Sequence, residues 1–154
     1  MKYKLTYSML NVMMANPERP MKDSARDHQL TRMWSGLAAL ETAVTPTQQD
    51  WIAVSDAVNM METLVEMGFA EDKDNLIEEA VFILKATAER YKNGQQLRLT
   101  GAGIQLLRGI LEDYAELTKQ LDERTMVHAH RKTEMRIQDI LHGRAKEKDI
   151  RLTA

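Results

Sequence analysis

The chain has no cysteine. That removes disulfides, thiolate nucleophiles and thiolate metal sites together. There are three prolines and seven glycines in 154 residues, too few for a loop-rich or many-turned β protein. Aromatic residues make up 5% of the chain, so it holds little material for base stacking. No apolar run is long enough to cross a membrane, and Met1-Lys2-Tyr3-Lys4-Leu5 is too polar to begin a signal peptide. These absences lead to the expectation of a cytoplasmic protein with no membrane partner.

What is present favours helix. Methionine is abundant, with 11 residues, and six of them fall in the first 33. This unbranched side chain fills irregular interiors. A single domain of this length buries roughly 70% of its unfolded surface and needs no metal to fold. Residues 1–123 hold 13 Lys/Arg against 19 Asp/Glu, a net of −6; residues 124–154 hold 8 against 4, a net of +4. An acidic body with a basic end suits an anionic partner, or a second copy of the same chain.

Residues 3–9 alternate, with Tyr3, Leu5, Tyr7 and Met9 apolar. That is a short strand signal. Residues 7–15 also suit a short helix, and a helix or arm over residues 1–20 is the reading favoured here. Asn16-Pro17-Glu18-Arg19-Pro20 ends whatever precedes it, because proline holds its predecessor out of helical geometry.

A first long helix is expected from Asp23 or Ser24 to Val44, on a stripe of Leu30, Met33, Trp34, Leu37, Leu40 and Val44. Gly36 inside it marks the close approach of another helix. A capping box, Thr45 with Gln48 or Thr47 with Asp50, opens the second helix, which runs to Met67. Two adjacent apolar rows, Trp51–Val54–Val58–Met61–Val65 and Ala57–Met60–Leu64–Met67, imply several neighbours or another subunit. The third helix is capped by Asp72 or Asp74 and runs to about Asn93 on Ile77, Ala80, Val81, Leu84, Ala88 and Tyr91. Trp34 and Trp51 both sit on apolar stripes and are expected to be largely buried.

Residues 100–143 contain no proline, and after Gly109 no glycine until Gly143. They read as one long helix or as two joined end to end. As one helix, residues 101–142 would span roughly 63 Å. A globule of this size is only about 40 Å across, so the helix must bend, break near 124 or project. Leu107, Leu111, Tyr114 and Leu121 form a core stripe; Thr118, Thr125, His128 and Lys132 then make the seam polar. A second, offset stripe of Ile137, Ile140 and Leu141 calls for a new neighbour. It is either the N-terminal arm folded back or another subunit, and the second is the expectation. Residues 144–154 are a charged, frayed tail. The architecture is thus an all-α bundle of four main helices with an over-long C-terminal helix, in one domain.

No catalytic constellation assembles. Thr100-Gly101-Ala102-Gly103 opens a helix as a dinucleotide-binding turn does, but the third glycine position holds Leu106, and no Gly-Lys-Ser/Thr follows. His128 and His130 point about 200° apart on a helix and cannot share a metal. His28 and His142 stand alone, and there are no Glu-x-x-His pairs on separate helices for a di-iron site. Ser8, Ser24, Ser35 and Ser55 sit in no nucleophile elbow. The expectation is no enzyme, no cofactor and no metal. A buried polar pocket with a shifted carboxylate would mark the opposite case.

The basic end is the feature above background. Arg124, Arg131, Lys132, Arg136, Arg144, Lys146 and Lys148 are candidate contacts for a partner or for phosphate. Glu134, Asp139, Glu147 and Asp149 interleave with them, as in a solvated helix with its own ion pairs. The function expected is a helical interaction or regulatory module, homo-oligomeric and with a protein partner. The alternative is a nucleic-acid-associated regulator using residues 124–151.

Overall fold

The computed structural model describes residues 5, 7–15 and 23–143. These form an all-α bundle: α1 (Met9–Met14), α2 (Asp23–Thr42), α3 (Gln48–Glu66), α4 (Leu76–Lys92), α5 (Gly101–Gln120) and α6 (Glu123–Leu141). No strand occurs among the described residues. Within residues 7–15 the short helix is found, started by a Ser8–Asn11 capping box, while Tyr3, Lys4 and Thr6 of the alternation lie outside the described residues. Asn16 to Pro20 and the tail from Arg144 lie outside the described residues.

α3 is the axis of the bundle. Of the two possible capping boxes, Thr47–Asp50 forms: Asp50 Oδ2 accepts from the Thr47 amide at 2.8 Å, and the Asp50 amide donates to Thr47 Oγ1 at 3.2 Å. The double apolar row then makes sense within one chain, because α2, α4, α5 and α6 all pack on α3. Residues from Trp51 to Leu64 are buried with few interruptions. α2 crosses α3 closely at Gly36, where an added Cβ would meet the Asp50 carbonyl oxygen at 2.7 Å and Ala53 Cβ at 3.2 Å. Glycine there is a packing requirement, as the sequence implied.

Two expected stripe members fall outside the core. Val44 lies beyond the end of α2 and is exposed, and Tyr91 is exposed in the last turn of α4. Trp34 is half-buried at the edge of the core, whereas Trp51 is buried. The turn before α4 is capped from a distance: Asp72 accepts from the Ile77 amide at 2.8 Å, while Asp74 and Asn75 take positive φ. The loop to α5 is sealed by buried Leu97 and Leu99, and the Leu99 amide donates to the Leu40 carbonyl.

The long C-terminal stretch is two helices. Leu121 and Asp122 both adopt extended geometry between α5 and α6. Asp122 restarts the chain as N-cap, accepting from the Thr125 amide at 2.8 Å. The break satisfies the length conflict and lets α6 fold back over α3. Within the chain α6 packs on α3 and α1; the segment around α1 meets its first turns, at Arg124, Val127 and His130, while Leu141 of the offset stripe is 55% exposed.

Candidate interaction face and polar cavity

α1 is held on α6 by one side only. Val12, Ala15 and Val127 form a small apolar cluster, with Tyr7 packed against it. The Tyr7 and His130 rings meet edge to face, with centroids 5.2 Å apart. Arg124 closes the C-terminal end of α1: its Nε donates to the Ala15 carbonyl at 3.2 Å and its Nη2 to the Met13 carbonyl at 2.9 Å. A guanidinium at that end satisfies orphan carbonyls and the helix dipole together. The opposite face is open. Met9, Leu10, Met13 and Met14 are 49%, 61%, 67% and 76% exposed. Four large apolar side chains within six residues form a patch, unlike the scattered apolar residues that any surface carries. No residue from Tyr7 to Ala15 is charged.

The basic candidates separate sharply. Arg124 is committed to α1. Arg136 is sunk between α6 and α3, where it donates to Thr63 Oγ1 at 3.1 Å and to the Asn59 carbonyl at 3.1 Å. It also pairs with Glu66 at 3.3 Å and with buried Glu62 at 3.6 Å. Arg131 is half-buried and donates to Met135 Sδ at 3.0 Å. Lys132 is exposed. Arg144, Lys146 and Lys148 lie outside the described residues. Acidic charge collects elsewhere, in a groove of about 670 Å³ with Glu71, Asp72, Glu112 and Asp113 on its walls.

A polar cavity was not legible in the sequence. It lies where α2, α3, α5 and α6 meet and has a volume of about 140 Å³. Arg32 and His28 reach it from α2, Asp56 from α3, Tyr114 from α5 and His130 from α6; Met33 and Met60 supply apolar wall. Arg32 Nη1 lies 3.4 Å from Asp56 Oδ2. Desolvation raises the Asp56 carboxyl above its ordinary value of 3.8, against the opposing pull of Arg32 and His130. Burial, and the Asp56 charge beside it, raise the Tyr114 phenol. The Tyr114 hydroxyl has no hydrogen-bond partner among the described residues, although the residue is only 5% exposed.

The raised carboxyl has a thermodynamic consequence. Between pH 3.8 and its higher folded value, the unfolded chain releases the Asp56 proton while the folded chain keeps it. Stability therefore falls as pH rises through that window and stays lower above it. Asp56→Asn is expected to raise the melting temperature at pH 7 only slightly, because the side chain is 54% exposed, with the gain vanishing as pH falls below 3.8. The lost contact to Arg32 is solvent-exposed and worth little. Thermal melts of both proteins across that pH range check the sign.

Compared with protein-family models, with curated proteins and with solved structures, the chain has no match. The functional reading therefore rests on the residues themselves. The polar cavity with its raised Asp56 carboxyl is the feature closest to an enzyme's mark, but the Asp56 side chain is 54% exposed and is not the buried carboxylate that the sequence reading named.

Proposed function

We propose that the protein is a non-enzymatic helical interaction module that acts by self-association through the outward face of α1, and through it presents a protein-binding surface. The observation that carries this reading is the exposure of Met9, Leu10, Met13 and Met14 on a helix whose other face is docked. An uncharged apolar face is compatible with a copy of itself, since a two-fold contact places like against like without charge repulsion. Methionine adds adaptability, because its flexible thioether conforms to a partner.

The test is mass in solution. Wild type is expected at about twice the 17.7 kDa of the chain by light scattering. Leu10→Lys with Met13→Lys is expected at the single-chain mass, with its helical circular dichroism retained. Both positions are exposed, so each change should alter chain stability by only about 0.5 kcal/mol. A wild type that stays at single-chain mass at every concentration sinks the proposal. If the variant keeps the double mass, the contact lies elsewhere. Loss of that mass in high salt would then place the contact between the basic end and the groove around Glu112 and Asp113.

The nucleic-acid reading has less to draw on, because Arg124 and Arg136 are spent on internal contacts. A salt-dependent shift of DNA or RNA, lost in Lys132→Gln, would revive it.

A further inference from the structure

The cavity at the α2–α3–α5–α6 junction is not explained by packing. Tyr114 is 5% exposed as a residue and lines this space, and its hydroxyl meets no protein partner among the described residues. Nor does packing account for six polar side chains from four helices converging on one space. Convergent polar groups around a concave, partly apolar space are the general form of a small-molecule site.

Size and charge narrow the occupant. An apolar cavity of about 150 Å³ accommodates benzene, so about 140 Å³ suits a molecule of similar bulk. The charges that face the space are one guanidinium, Arg32, and one carboxylate, Asp56, 3.4 Å apart. A bare carboxylate seated on Arg32 would lie against Asp56, and a bare ammonium seated on Asp56 would lie against Arg32. A molecule carrying both charges on adjacent atoms meets each with its opposite. Both side chains are about half exposed, 48% and 54%, so entry is from their side, while Tyr114, Met33 and Met60 close the inner end.

We infer that this cavity binds a small zwitterion, an α-amino acid with a short apolar side chain, its carboxylate on Arg32, its ammonium on Asp56 and the Tyr114 hydroxyl, and its side chain toward Met33 and Met60. The inference goes beyond self-association and does not depend on it, since every group comes from one chain. Binding stoichiometry per chain is the same whatever the assembly.

The experiment is calorimetric titration of the full chain with L-alanine and L-valine, and with ethylamine and propionate as the two charged halves. One site per chain is expected for at least one amino acid, with both halves at least about tenfold weaker. Tyr114→Phe is expected to weaken binding by about tenfold while leaving the melting temperature of the empty protein nearly unchanged, since the ring stays in place and the hydroxyl makes no protein hydrogen bond among the described residues. Arg32→Gln, at a half-exposed position, is expected to abolish binding with the fold intact. The inference is overturned if neither amino acid binds at concentrations on the order of 10 mM, if a half binds as tightly as the whole, or if Tyr114→Phe binds as wild type does.

Discussion

Arg136→Met is expected to destabilise the protein by about 3–5 kcal/mol, a fall in melting temperature on the order of 10 °C for a chain of this length. The reason is what it leaves behind. Glu62 is 5% exposed on α3, and Arg136 is a cation beside it. The guanidinium also supplies donors to Thr63 Oγ1 and to the Asn59 carbonyl, so its removal strips several α3 groups at once. The outer pair with Glu66, at a half-exposed carboxylate, contributes little. A second substitution separates the charge from the packing. Glu62→Leu combined with Arg136→Met should recover most of the loss, because an apolar pair of similar volume carries no desolvated charge. Chemical denaturation of the two single variants and the double variant measures the coupling. If the double variant is no more stable than Arg136→Met alone, the ion pair does not govern α6 docking. The result also bears on function, because a nucleic-acid assay on Arg136 variants would report unfolding. Exposed Lys132 is the position where phosphate contact can be tested cleanly.

Arg136 illustrates why the basic end was misread as surface. Its neighbours in sequence alternate in sign, which is the pattern of a solvated helix. The acids it meets, however, lie more than sixty residues away on α3, and no local spacing encodes that. The polar seam misleads in a related way. Thr118 and Thr133 are buried, yet each satisfies its hydroxyl on its own helix, Thr118 on the Ala115 carbonyl at 2.7 Å and Thr133 on the Ala129 carbonyl at 2.8 Å. Thr133 Oγ1 also lies 2.5 Å from Thr63 Oγ1 across the α3–α6 contact. Of the seam Thr118, Thr125, His128 and Lys132, only Thr118 is buried and Lys132 is exposed; it is Thr133, one residue on, that continues the core.

The helix break was half legible. Length alone called for a bend, a break near 124 or a projection; the chain breaks at Leu121–Asp122, close to that place, although no glycine or proline marks it. The one local sign is Asp122 three residues before Thr125, an N-cap pattern hidden inside a run that also reads as helix. By contrast, α3 was legible throughout, since its capping box and double apolar row are both short-range signals. The cavity was wholly illegible. His28, Arg32, Asp56, Tyr114 and His130 are each unremarkable on their own helices, and only the packing of four helices brings them together.

The two tryptophans, alike on their sequence stripes, should behave differently. Trp51 sits in the first turn of α3, is 5% exposed, and donates from Nε1 to the Leu84 carbonyl of α4 at 3.1 Å. It therefore fills the core and ties the axis of the bundle to its neighbour. Trp51→Ala is expected to cost about 3–5 kcal/mol, the range for emptying a well-packed aromatic site. Trp51→Phe keeps much of the volume and loses the hydrogen bond, so the cost should fall to about 1–2 kcal/mol. Trp34 lies half-buried on the outer side of α2, packed against the core from its edge. Solvent already reaches it, and truncation opens a surface notch that water can fill. Trp34→Ala is therefore expected to cost only about 1–2 kcal/mol. Urea denaturation of the three variants orders them. Equal losses for Trp34→Ala and Trp51→Ala would mean that the α2 edge is covered in solution, by the carboxy-terminal tail or by a second chain. The same comparison repeated on Leu10→Lys with Met13→Lys would then decide whether self-association supplies that cover.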